Sequence, residues 1–382
     1  MEVFWQAGIV FFTALLVTLI MVPVSKKIAR KIGAIDYPSN RRVNTVAVPR
    51  CGGIALYVGF LAGLGAFWIG IHVFHWRIVD FYTLERINYP LLLAAVTLIF
   101  AVGLFDDVKQ ISARVKFAWQ TVGALVVALS GVSLDVIATS SGDVSLGWLD
   151  IPLTVFYLLV FMNIINLIDG LDGLAAGITT ISSLTFMYLV FQRGSMTLTM
   201  VCLALVAVCL AFLVFNFHPA SVFMGDSGAL FLGLMLGIVS LLGVVRTQSL
   251  AVLMVPLTVA AVPVIDTASA IVRRKVTHKA IGEPDMNHIH HRLLRFGLGQ
   301  TATVLVLYLC TAVSSVIAIA VTMAPDAVRT GVVVLLVVVG IVIICLLGVA
   351  GPVLQHHYEG KGKKGSRAPQ DPSQSGFIKK IK

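Results

Sequence analysis

Apolar runs long enough to cross a bilayer recur along the whole chain, separated by short polar stretches. Eleven can be drawn, at roughly 3–24, 53–74, 89–105, 115–132, 151–168, 171–191, 196–216, 228–245, 250–272, 302–323 and 329–351. The pattern predicts an all-α polytopic integral membrane protein of about 11 transmembrane helices. The fifth and sixth runs nearly touch, and "NIINLIDGLDGL", Asn163 to Leu174, is their hinge. Between the fourth and fifth runs, "LDVIAT" and "VSLGWL" flank Ser141-Gly142, which predicts a small β-hairpin within 133–149. Residues 1–354 read as one transmembrane domain. Residues 355–382, rich in Gly, Lys, Pro and Ser, read as a disordered basic tail.

Composition agrees with the pattern. The chain is 58% hydrophobic and 12% charged, against about 25% charged in an average soluble domain. Such a chain has too little polar surface to stay in solution. Cys202, Cys209, Cys310 and Cys345 lie within apolar runs and Cys51 starts one. They read as small buried hydrophobes rather than a disulfide framework.

Charge sets the expected orientation. With eleven spans, 23 of the 28 Lys and Arg fall on one face, and Lys and Arg mark the cytoplasmic side. The N-terminus is therefore expected outside and the C-terminus inside, with the hairpin outside. Only Glu2 precedes the first run and a basic cluster follows it. That is the reverse of a secretory signal, so the run is expected to stay as an anchor. The net charge of +10 reads as topology and contact with anionic lipid. No basic soluble module suggests nucleic-acid binding.

Four polar clusters interrupt the oil, and the topology puts all of them on the cytoplasmic face. "GLFDDVKQ" carries Asp106, Asp107 and Lys109; the hinge carries Asn163, Asn166, Asp169 and Asp172. "FMGDSGAL" sets Asp226 between Gly225 and Gly228, and "DMNHIHHRL" carries His288, His290 and His291. Adjacent carboxylates repel, a cost that a bound cation offsets. Glycines beside Asp226 let backbone approach a ligand. On a helix, steps of three turn 300°, so Asn166 and Asp169 share a face, as do Asp169 and Asp172. Gly170 and Gly173 argue for a broken helix end that aims several of these groups into one cavity. The structural alternative makes Asp169 or Asp172 the N-cap of the sixth span, and the histidines a solvated loop. Zinc is disfavoured, because no Cys or Glu lies at ligand spacing from the histidines. Asp266, inside the ninth span, is functional by default. Hard oxygen donors suit Mg²⁺ or Mn²⁺, and Lys109, the basic loops and imidazoles suit phosphate. Together they point to phosphoryl transfer involving a lipid.

"GLFDDVKQ", "NIINLIDGLDGLAAG", "VFMGDSGALFLG" and "NHIHHRL", in this order and spacing, closely resemble the polyprenyl-phosphate N-acetylhexosamine-1-phosphate transferases. This is glycosyltransferase family 4, which includes the phospho-MurNAc-pentapeptide translocase. "VPRCGGI", Val48 to Ile54, resembles a further family segment, and "HIHH" resembles the WecA/TagO-like branch, which uses UDP-GlcNAc. The resemblance covers roughly residues 20–300. It implies that undecaprenyl or another polyprenyl phosphate attacks the sugar-bearing phosphorus of a UDP-N-acetylhexosamine and releases UMP. It implies a Mg²⁺-dependent enzyme (Mn²⁺ a possible substitute) of the bacterial cytoplasmic membrane, its active site on the cytoplasmic face, serving cell-envelope polysaccharide or teichoic acid synthesis. Asp106, Asp107, Asp226 and His290 are the implied catalytic residues, with Asp107 and Asp226 on the metal. Lys109, Asn163, Asn166, Asp169, Asp172, His288, His291, Arg292 and Arg50 are the implied substrate contacts. Family members are often homodimers. Asn44, Ala229 and Met286 depart from the common pattern; none is a presumed metal ligand, and together they leave the sugar open. A MurNAc-pentapeptide substrate and a cation or nucleotide-sugar transporter are the alternatives; a transporter would place its charges near the bilayer midplane.

Overall fold

The computed structural model describes residues 2–38, 46–77, 87–134, 136–139, 142–243 and 297–325, with isolated helical positions between 265 and 274 and between 328 and 342. Nine long helices are complete within these residues. They are α1 (Glu2–Ile32), α2 (Gly53–His72), α3 (Tyr89–Lys109), α4 (Ala113–Leu129), α5 (Asp150–Ile168), α6 (Leu174–Gln192), α7 (Met196–Asn216), α8 (Gly225–Gly243) and α9 (Gln300–Met323). All nine lie where the apolar runs predict them. Among the described residues, eight helical segments are long and apolar enough to span a membrane; α4, at 17 residues, is the short one. The chain is an all-helical polytopic membrane protein. The ninth and eleventh expected spans, Asp266, the histidine loop and the basic tail lie outside the described residues.

Helix ends differ from the apolar limits, and local chemistry explains why. α1 continues eight residues past the first run, carrying Lys26, Lys27, Arg30 and Lys31 as a basic extension; cations suit a helix C-terminus. Asn88 starts α3 by accepting the Leu91 N–H at 3.0 Å, followed by Pro90 in the first turn. α3 ends at Gln110, whose φ of 50° breaks the helix. Asp106 and Asp107 therefore sit in the last turn of α3 rather than beyond it.

The expected hairpin is present: β3 (Val136–Thr139) and β4 (Gly142–Ser145) pair antiparallel, with Thr139 opposite Gly142. A second small sheet was not expected. β1 (Ile35–Asp36) pairs antiparallel with β2 (Val48–Pro49) at the foot of α1 and α2.

Packing is organised around α8, in which every residue but Asp226 is buried. It lies against α2, α3, α5, α6 and α7; α1 packs on α2 and α7, and α9 packs on α6. Lipid is as apolar as Leu, so close backbone approach carries much of the association. At Gly103 of α3, a Cβ would stand 2.6 Å from Ser227 Cα. Only a glycine lets α3 come that close to the start of α8, and this approach positions the site.

Candidate functional site

The site forms where the end of α3, the end of α5 and the start of α8 meet. It is built outward from Asp107, which is buried in the last turn of α3. Its Oδ1 accepts the Asp226 N–H at 2.8 Å; its Oδ2 accepts the Ser227 N–H at 3.1 Å and the Ser227 hydroxyl at 2.6 Å. The carboxylate of one helix thus caps the N-terminus of another, where orphan N–H groups and the helix dipole favour an anion. Gly225 makes this possible: its φ is +69°, and a Cβ there would overlap the Asp107 carboxylate.

Asp106, beside it, turns the other way. Its Oδ1 accepts the Ile111 N–H at 2.7 Å, which fixes the corner between α3 and α4. Its Oδ2 lies 2.7 Å from Lys116 Nζ. Ser112 starts α4, its hydroxyl toward the Val115 N–H at 3.5 Å, and Lys116 follows in the first turns. The chain thus doubles back and returns Lys116 to the carboxylates. The same ammonium lies 2.8 Å from Asp226 Oδ2, while Asn166 of α5 donates to Asp226 Oδ1. Asp106, Lys116 and Asp226 make one charge-assisted network across three helices.

Arg50 stands beside this network. Its Nη2 is 3.7 Å from Asp107 Oδ1 and its Nη1 is 3.7 Å from Asp36 Oδ1. The segment that carries it is stitched to the "VFMGD" stretch: the Phe223 N–H donates to Pro49 O at 2.9 Å, the Gly52 N–H to Phe223 O at 2.9 Å, and the Gly53 N–H to Met224 O at 2.8 Å. Two motifs far apart in the chain are thereby joined backbone to backbone. Asp169, at the C-cap of α5, completes the cluster. Burial, then the Asp226 and Asp107 carboxylates, hold its carboxyl well above the usual carboxylate range.

The remaining predicted residues divide. Asp172 accepts from His218 Nδ1 at 2.8 Å and from the Ala220 N–H at 3.0 Å, tying the hinge to the α7–α8 connection. The N-cap of α6 is Gly173, at φ +79°, so the capping alternative for Asp169 and Asp172 does not hold. Gly173 is itself held by Asn216 Oδ1, which accepts its N–H, and by the Tyr308 hydroxyl, which donates to its carbonyl. Asn163 donates to Gln120 Oε1 and to Leu159 O, both at 2.8 Å, on the side of α5 that meets α4. Lys109 is exposed at the end of α3. His288, His290, His291 and Arg292 lie outside the described residues.

Sequence reasoning passed over Lys116, Ser227 and Gln120. Lys116 carries a signal in the sequence, being a cation one turn into an apolar helix.

The donor set suits a hard cation. Asp106, Asp107 and Asp226 gather against the cations of Lys116 and Arg50, three carboxylates to two cations in a half-buried place. Among the described residues no three His, Cys, Asp or Glu side chains converge on one point. A metal here would take Asp106 and Asp226, which already share one cation, and fill its shell with water and phosphate oxygens, as Mg²⁺ commonly does. Asp107, with three donors on its two oxygens, is the less available ligand.

Comparison with known proteins agrees. The family model described as Glycosyl transferase family 4 matches residues 89–244, which contain the whole carboxylate network. The chain is 40% identical over 313 residues to the "Probable undecaprenyl-phosphate N-acetylglucosaminyl 1-phosphate transferase" of Bacillus subtilis, covering 81% of this chain and 84% of that protein. It is 33% identical over 333 residues to the decaprenyl-phosphate N-acetylglucosaminephosphotransferase of Mycolicibacterium smegmatis, covering 80% and 79%. It is 28% identical over 293 residues to the undecaprenyl-phosphate alpha-N-acetylglucosaminyl 1-phosphate transferase of Escherichia coli K12, covering 74% and 75%. The chain belongs to the polyprenyl-phosphate N-acetylglucosamine-1-phosphate transferases of glycosyl transferase family 4.

Proposed function

We propose that the chain transfers N-acetylglucosamine-1-phosphate from UDP-GlcNAc to undecaprenyl or another polyprenyl phosphate, yielding polyprenyl-diphosphate-GlcNAc and UMP. The observation that carries this reading is the Asp106–Lys116–Asp226 network at the meeting of α3, α4 and α8, inside the stretch that defines the family.

The chemistry asks for charge management more than for a base. A phosphate monoester has a second pKa near about 6, so the lipid phosphate is largely a dianion at neutral pH. An oxygen of that phosphate attacks the phosphorus that bears the sugar, and the bond to the UMP oxygen breaks. The sugar C–O bond is untouched, so its anomeric configuration is retained. Mg²⁺, held by Asp106 and Asp226, would supply positive charge to the transferring phosphoryl group. Lys116 and Arg50 supply cations for the phosphate oxygens. Asn166 orients the Asp226 carboxylate, and Asp107 locks the start of α8 so that Asp226 stays aimed. Asp169, at the C-cap of α5, is suited to a nucleotide contact. The histidine loop would complete the diphosphate site.

The basic extension of α1 and the positive-inside rule favour a site on the cytoplasmic face of the bacterial cytoplasmic membrane, with the N-terminus outside. A cytosolic UDP-sugar and a lipid phosphate can meet there. A homodimer fits family habit. The test is UMP release by purified protein, supplied with UDP-GlcNAc with and without polyprenyl phosphate. Release that requires both supports the reading. Release from UDP-MurNAc-pentapeptide instead moves the chain to the translocase branch, and no release from either donor refutes the transferase reading.

A further inference from the structure

Asp106 and Asp226 come from different helices, yet they face one another across a single cation. Lys116 Nζ stands 2.7 Å from Asp106 Oδ2 and 2.8 Å from Asp226 Oδ2. The two carboxylates are each fixed by a second partner, the Ile111 N–H for Asp106 and the Asn166 amide for Asp226. The lysine is the movable member: a compact point charge on a flexible four-carbon stem. Its side chain keeps 21% of its exposure, so it has room to leave. Asp107 is held instead by two N–H groups and the Ser227 hydroxyl at the start of α8, with Arg50 Nη2 at 3.7 Å.

We propose that Lys116 is a built-in stand-in for the divalent cation. It holds Asp106 and Asp226 together in the substrate-free enzyme. When a metal arrives with a nucleoside diphosphate, it yields the carboxylates and re-pairs with the phosphate oxygens. The inference rests on the reading that Asp106 and Asp226 hold the metal. A cation arriving alone must displace an ammonium that has nowhere equally good to go. A diphosphate gives that ammonium a new partner. Metal and nucleotide must then tighten each other's binding by the same factor, as linkage requires. The device would keep the site from holding metal uselessly between turnovers.

The test measures Mn²⁺ binding to the full-length protein in detergent, by the electron paramagnetic resonance signal of free Mn²⁺, with and without UDP. Mn²⁺ bound by UDP in free solution is subtracted. Wild type should bind Mn²⁺ about 10-fold or more tighter with saturating UDP. Lys116→Gln and Lys116→Met, checked for monodispersity, should bind Mn²⁺ alone about 10-fold tighter than wild type and lose most of the UDP effect. Equal Mn²⁺ affinity in wild type and both variants overturns the stand-in role. So does the absence of any UDP effect in wild type, which needs no variant. Asp226→Asn separates the two levels of the argument. If it abolishes Mn²⁺ binding while the Lys116 variants behave as wild type, the stand-in alone fails. If it leaves Mn²⁺ affinity unchanged, the metal is not held there and the underlying reading fails with it.

Discussion

Asp107 receives the Ser227 hydroxyl at 2.6 Å and the Ser227 backbone N–H at 3.1 Å, so a carboxylate from α3 closes the N-terminus of α8. This contact lies under the site and makes stability and geometry depend on one side chain. Breaking a buried charged network by removing one partner costs about 3–5 kcal/mol. Asp107→Ala should therefore lower the unfolding temperature of the detergent-solubilised protein sharply. Ser227→Ala removes one neutral donor and should cost about 1–3 kcal/mol. Thermal unfolding of both variants checks the order; equal effects would mean that the N–H bonds of α8 carry little.

Asp226 and Asp169 should fail differently. Asp226 shares its cation with Asp106, so Asp226→Asn removes charge stabilisation where the phosphoryl group transfers. Its kcat should fall by about 10²–10³. Asp169, at the C-cap of α5, stands outside the ion pairs of Lys116, and Asp169→Asn should raise the KM for UDP-GlcNAc at least as much as it slows turnover. Steady-state kinetics of both variants at several Mg²⁺ concentrations decides. A near-normal kcat in Asp226→Asn would reverse the two assignments.

Activity should require a divalent metal. EDTA should abolish UMP release, and Mg²⁺ or Mn²⁺ should restore it, because the carboxylate cluster carries more negative charge than Lys116 and Arg50 balance. Full turnover in chelator would refute the site as drawn.

Asp169 also predicts a pH effect on stability. Burial and neighbouring carboxylates raise its folded-state pKa, against about 3.9 when unfolded. The folded state therefore holds the proton more tightly, and stability falls as pH rises above about 4 until the folded-state pKa is passed. Asp169→Asn removes that loss. The substrate-free variant should melt higher than wild type at pH 7.5, and the gap should narrow as pH approaches about 4.5. Melting curves across that range, in the absence of metal, test it; a gap that is constant with pH would remove Asp169 as its cause.

The sequence by itself determined the positions of the nine described helices and the polar stretches around Asp106, Asn166 and Asp226. Hydrophobic run length is a local property that membrane thickness reads directly, which is why α2, α5 and α7 begin and end close to their predicted limits. The same local logic found Asp106, Asp107, Asn166, Asp169 and Asp226, because polar groups in an apolar run need a reason. Tertiary structure alone decided what each of them does. Spacing along a helix fixes the direction of a side chain relative to its neighbours, but not which other helix waits there. Asn163 and Asn166, three residues apart, part company for that reason: one meets Gln120 on α4, the other meets Asp226 on α8. Asp106 and Asp107 diverge in the same way, one toward the Lys116 ammonium and the other into the start of α8. Lys116 rather than Lys109 became the central cation because the α3–α4 corner folds it back over the carboxylates, a through-space return that no spacing in the sequence encodes.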